Sequence, residues 1–151
     1  MTIPFLRHLP GLNGSRAQQV ATGRDPRAAA AKTAIDQLLE HLPDLLVAMV
    51  ADVASGALLA SYAAERRYQL AALTTAVVAA AQQVQANLAT QEASPTNQLH
   101  ELLLTLSGQL HLSCLGVHGQ LLYLAVDSHD TNLAIARQLA REAIDCFDAQ
   151  Q

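Results

Sequence analysis

Between Arg67 and Glu92 the chain carries not one charged side chain. Within that stretch Leu70, Leu73, Val77, Ala81, Val84 and Leu88 recur at helical spacing, enough to bury one helix face on a sheet. The opposite face is Ala72, Thr75, Ala79, Gln82, Gln83 and Ala86. A solvated helix face of that length normally carries Lys, Glu or Arg, and small uncharged residues instead let another helix approach closely. Alanine's high helix propensity offers a plainer reading, an Ala-rich helix left in water or lying under the N-terminal arm. Composition favours burial: the charged fraction is only 15%, against roughly 25% in ordinary soluble domains. The stretch is therefore expected to be an interface helix.

The remaining elements follow from punctuation and period. Residues 1–24 hold Pro4, Pro10, Gly11, Gly14 and Gly23 without sustained periodicity, which predicts a flexible basic arm. Asp25-Pro26 reads as a helix start, and Ile35, Leu38, Leu39 and Leu42 form one stripe before Pro43 stops the helix. Leu45 to Val53 is apolar on both faces, as a strand covered on two sides should be. Ala54-Ser55-Gly56 turns the chain back into a second strand, Ala57 to Tyr62. After the charge-free helix, predicted from about Arg66 to Gln91, residues 92–98 read as a loop. Three strands follow at Leu99–Leu106, Gln109–Leu115 and Gln120–Asp127. Apolar matching predicts a three-residue turn, Ser107-Gly108-Gln109, that sets Leu104 opposite Leu112; a two-residue turn would set it against His111. Caps in Asp127-Ser128-His129-Asp130 then open a last helix ending near Phe147, with Arg137, Arg141, Glu142 and Asp145 opposite its apolar face. The order α-β-β-α-β-β-β-α predicts an α+β fold, a single domain over residues 25–148 with an antiparallel sheet and helices on both faces.

Charge and motif content narrow the function. Residues 1–32 have five basic side chains (Arg7, Arg16, Arg24, Arg27, Lys32) and one acid, Asp25, for a net of +4. The rest has four bases and twelve acids, a net of −8. An acidic body argues against nucleic-acid binding, which needs a basic face for phosphate. No apolar run reaches the roughly 18–20 residues of a membrane span, and the first residues lack a secretory h-region, so a cytoplasmic protein is expected. Phosphate-binding glycine loops, HExxH and the GxSxG elbow are all missing, so neither cofactor nor enzyme activity is expected. The six histidines, His8, His41, His100, His111, His118 and His129, show no tight ligand spacing, and no metal is expected. Cys114 reads as a small core hydrophobe, and Cys146 has no adjacent cation to activate it. Asp52, before a glycine turn, reads as a turn-capping carboxylate.

Leu46–Tyr62, Leu70–Val84, Leu102–Ser107, Gln120–Asp127 and the Asn132-Leu133 helix start together resemble the Roadblock/LC7 (dynein-light-chain) family, bacterial type. An acid and a Gly turn after the first strand, here Asp52 and Gly56, are part of that likeness. The resemblance covers about residues 32–147 and implies a profilin-like sandwich with five antiparallel strands. It further implies a homodimer that packs the middle helix on its twin and pairs the third strand edge to edge. The residues so implied are Ala72, Thr75, Val78, Ala79, Gln82 and Ala86, with the strand Glu101, Leu102, Leu103, Leu104, Thr105 and Leu106. Such proteins resemble scaffolds and regulators of Ras-like small GTPases, including bacterial GTPase-activating partners. They would act by holding the GTPase's own switch loops rather than by contributing chemistry. Arg66 and Arg67 are accordingly read as solvated flanks of the helix, not arginine fingers. The alternatives are a structural adaptor in a motor, pilus or signalling complex without a GTPase, and a small-ligand sensor.

Overall fold

Two strand-like apolar runs, 45–51 and 121–126, lie side by side in the middle of one antiparallel sheet. The computed structural model describes residues 20–91 and 98–151. Its elements are β1 (Ala21–Thr22), α1 (Ala28–His41), β2 (Leu45–Asp52), β3 (Leu58–Ala63), α2 (Leu70–Gln91), β4 (Glu101–Thr105), β5 (Gln109–Leu115), β6 (Gln120–Asp127) and α3 (Leu133–Asp148). The strands are ordered β1-β3-β2-β6-β5-β4, and every neighbouring pair is antiparallel. An α+β fold with helices on both faces is thus what forms.

Strand alternation divides the core in two. On one face Ala48, Val50, Leu112, Cys114, Leu122, Leu124 and Val126 pack under Ile35 and Leu38 of α1 and Ile144 and Phe147 of α3. On the other, Val47, Met49, Leu121, Tyr123 and Ala125 meet Ala81 of α2, with Leu70, Leu73 and Val77 alongside. β2 and β6 feed both clusters, which is why their sequences are apolar on both faces.

Three expectations need correction. The sheet has six strands, not five: Ala21 and Thr22 pair with Ser61 and Ala60, so the sheet reaches into the stretch read as arm. Residues 1–19 of that arm, and the predicted loop at 92–97, lie outside the described residues. Next, the β4–β5 turn is the two-residue one: Leu106 N–H donates to the Gln109 carbonyl at 2.9 Å, and Leu104 sits opposite His111. Apolar matching misled because β4 is an edge strand with both faces largely open, Leu103 being 37% and Leu104 65% exposed. Burial sets register only where one face is buried, so turn geometry decides here. Lastly, α1 begins at Ala28, because Asp25 makes a local turn instead of a cap: its carboxylate accepts from Arg27 N–H at 2.8 Å. The α3 cap is Asn132, whose side chain accepts from Ala134 N–H.

Candidate interaction surface

α2 is fastened to the domain at few points. Of its 22 residues only Thr74, Val78 and Ala81 are buried. The Thr74 hydroxyl donates to the Leu70 carbonyl at 2.7 Å, and its oxygen lies 2.9 Å from Met49 Sδ beneath the helix. Gln82 reaches off the helix to donate to the Val53 carbonyl at 2.7 Å, tying α2 to the β2–β3 turn. That turn is itself rigid: Asp52 accepts from Ser55 N–H and hydroxyl, its carbonyl accepts Gly56 N–H, and Gly56 takes φ +71°. The hydroxyl and amide of Ser55, with help from Arg27, hold the Asp52 carboxyl below its ordinary range. Asp52 therefore does what was expected of it, and caps a turn.

Among the described residues nothing covers the outer face of the helix. Ala72, Thr75, Ala79, Gln82, Gln83 and Ala86 are all exposed. Val78, grouped with them by family likeness, is instead 5% exposed and turned into the protomer. It stands four residues after Thr74 and three before Ala81, on the same track as both. Leu88, placed by period on the inner stripe, is 41% exposed and joins the outer surface near the helix end. The inner track drifts through Thr74 and Val78 because the contact is anchored at Met49, which no spacing rule reveals.

β4 lies at the sheet edge, with Leu102 in the same cluster that carries α2. Leu104 shares the face of Leu102, and Leu104 and Leu106 are the most exposed leucines among the described residues, at 65% and 59%. Leu103 and Thr105 point to the other face and are also open, while Glu101 is held by Arg137 at 2.8 Å. Of the dimer residues implied by family likeness, all but Val78 lie on the exposed helix face or on the edge strand and its end.

Between these two features lies His111, half-buried on the α2 side of β5. Its Nδ1 lies 2.5 Å from the Tyr123 hydroxyl and its Nε2 3.0 Å from Gln109 Oε1. Burial lowers the His111 pKa and pushes the Tyr123 phenol up to about 12. The pair is invisible in sequence, since it depends on the β5–β6 register.

Elsewhere the side chains serve the fold. Burial raises the Cys114 thiol to about 11, which makes it inert. Arg67 pairs with Glu65 and lies over the Tyr68 ring at 5.3 Å. His41 bonds the Gln37 carbonyl in the last turn of α1. Among the described residues no group of three or more His, Cys, Asp or Glu is placed to hold a metal ion, and no helix is long and apolar enough to cross a membrane. What the described residues leave exposed is an uncharged helix face and an unpaired strand edge.

Solved structures share this architecture. The gliding protein MglB from Thermus thermophilus superposes with a TM-score of 0.70 at 18% identity, covering 85% of this chain and 93% of that one. Myxococcus xanthus MglB gives 0.65 at 14% identity, covering 82% and 93%. A Roadblock/LC7 domain from Streptomyces avermitilis gives 0.62 at 8% identity, covering 73% and 88%. No family profile matches the sequence, and no curated protein matches it either. At these identities the likeness is one of fold, and the fold is the Roadblock/LC7 fold.

Proposed function

We propose that this Roadblock-fold chain is a non-enzymatic homodimeric regulator or scaffold that binds a Ras-like small GTPase and modulates its hydrolysis or localisation. The observation that supports the reading is that one protomer has both an uncharged, exposed α2 face and a β4 edge that is unpaired among the described residues. A second copy placed across a two-fold axis sets α2 against α2 and β4 against β4 at once. Such an interface is isologous and closes at two subunits. Ala72, Thr75, Ala79 and Ala86 allow close helix approach, and Leu104 and Leu106 leave water in the same step.

The GTPase partner rests on the family likeness of the sequence and on the MglB folds. Such a dimer would act on a GTPase by holding its switch loops in one state, as the family likeness implies, rather than by contributing chemistry. The test is affinity capture from the source cell's lysate with a GTP analogue and with GDP in parallel, followed by mass spectrometry. A small GTPase retained in one nucleotide state, whose hydrolysis rate then changes on adding the pure chain, is expected. Retention only of motor, pilus or signalling components, indifferent to nucleotide, would replace this reading with the structural adaptor.

A further inference from the structure

The two edges of the sheet are treated differently. Among the described residues nothing pairs with the outer edge of β4, while that of β3 is closed by β1, a strand of two residues whose side chains are both exposed. The Ala21 and Thr22 side chains add nothing to the core, although Val20 just before them packs against it. β1's contribution is backbone pairing: Ala21 with Ser61, Thr22 with Ala60, and Gly23 N–H to the Leu59 carbonyl at 2.7 Å. The approach is so close that a Cβ on Gly23 would stand 2.6 Å from the Leu58 carbonyl oxygen. A latch holds the segment just beyond: the Arg27 guanidinium bonds Asp25 at 2.8 Å and Asp52 at 3.1 Å, joining it to the β2–β3 turn.

The edge it closes is hazardous. β3 reads LLASYA, with no charge and no proline, the composition that pairs with any free strand. Natural edges are protected by Lys, Pro, bulges or a covering segment. β3 has neither Lys nor Pro, its register with β2 slips at Leu59, and the stretch at Ala60 and Ser61 beyond that slip is the part β1 covers.

We propose that β1 is an edge guard, and that the β3 edge beneath it is a second assembly surface whose occupant, once the guard is gone, is the same edge of another copy. Two β3 strands meeting across a two-fold axis pair antiparallel around Ala60 and Ser61, with nothing charged to repel them. The guard keeps assembly confined to the α2 face and the β4 edge. This goes beyond the functional reading above and is measured against the mass of the full chain, whatever that mass is. A full chain of one copy would therefore remove the paired-helix reading and leave this comparison intact.

The experiment compares the full chain with one lacking residues 1–24, by light scattering at equal concentration, with circular dichroism to establish folding. Truncation is expected to raise the mass, to twice the starting value if the full chain is one copy and to at least twice if it already pairs, since two two-fold edges per copy need not close. Ala63→Lys in the truncated chain is expected to return it to the starting value, because an edge lysine blocks strand pairing. A folded truncated chain at the full chain's mass would overturn the proposal. Gly23→Val in the full chain is the second arm and leaves all core residues in place. It is expected to speed amide exchange at Leu59–Ser61 and raise the mass together. Exchange that stays slow, or that speeds without a rise in mass, overturns the guard as well.

Discussion

α2 and α3 lie on opposite faces of one sheet and solve opposite problems. α3 buries Ala136, Ala140, Ala143, Ile144 and Phe147 in sixteen residues and turns Arg137, Arg141, Glu142 and Asp145 away from that face. α2 is longer, at 22 residues, buries three, and shows the outside neither charge nor a strong apolar stripe. The first pattern completes a protomer on its own. The second leaves a surface that a monomer gains nothing by keeping, and that a second helix can cover. Amphipathic contrast therefore separates a helix that completes its own core from one whose outer face is left uncharged.

The largest effect expected is on the α3 side. Phe147 is fully buried between α1 and the sheet, so Phe147→Ala should cost about 3–5 kcal/mol of stability. Thermal melts would show it as a large fall in midpoint, and a small one would mean that the α1–α3 layer is not the stability core. On the α2 side the comparison predicts the reverse outcome. Ala79→Glu should barely move the melting of the folded protomer but weaken self-association by on the order of 3 kcal/mol, about a hundredfold in dissociation constant. Sedimentation across a dilution series reads this, and unaltered association would place the seam elsewhere. A smaller loss follows from the cap of α3: Asn132→Ala removes the bond to Ala134 N–H and should cost ~1 kcal/mol. Urea unfolding at constant m-value is the check.

Acid should distinguish the two faces by pH window. On the α2 side, burial lowers the His111 pKa, so the folded state favours the neutral ring. Its stabilisation is complete above the ordinary 6.5 and declines as pH falls below that value. On the α1 side, hydrogen bonds from Arg27 lower the Asp25 carboxyl from 3.8 to about 2, and Asp52 is lowered too. That contribution is present above pH 3.8 and is lost as pH falls through about 2. Melting midpoints of His111→Asn and Arg27→Met should each flatten one of these declines and leave the other. A single shared decline in both variants would mean the faces are not independent.

Much of this comparison was legible in sequence, and its failures have physical causes. β5 and β6 are found at their predicted limits because turns bracket strongly apolar runs. α3 is found because its two faces differ in polarity along its whole length. The β4–β5 register failed on an edge strand, where leucines on both faces stay open and burial casts no vote. Val78 and Leu88 exchanged sides because α2 touches the sheet lightly, so its rotation is set by a few contacts, Thr74 with Met49 and Gln82 with the Val53 carbonyl among them. β1 was missed because two paired residues beside a glycine leave no periodic trace; their stability comes from the β3 backbone. His111 and Tyr123 meet only once register is known.

The central claim is that the α2 face and the β4 edge are covered by a second copy. Light scattering on the full chain over a dilution series tests it most directly. A mass of twice the 16.0 kDa chain, falling to 16.0 kDa in both Ala79→Glu and Leu104→Lys, is the result predicted. A wild-type chain that runs at 16.0 kDa throughout would contradict it.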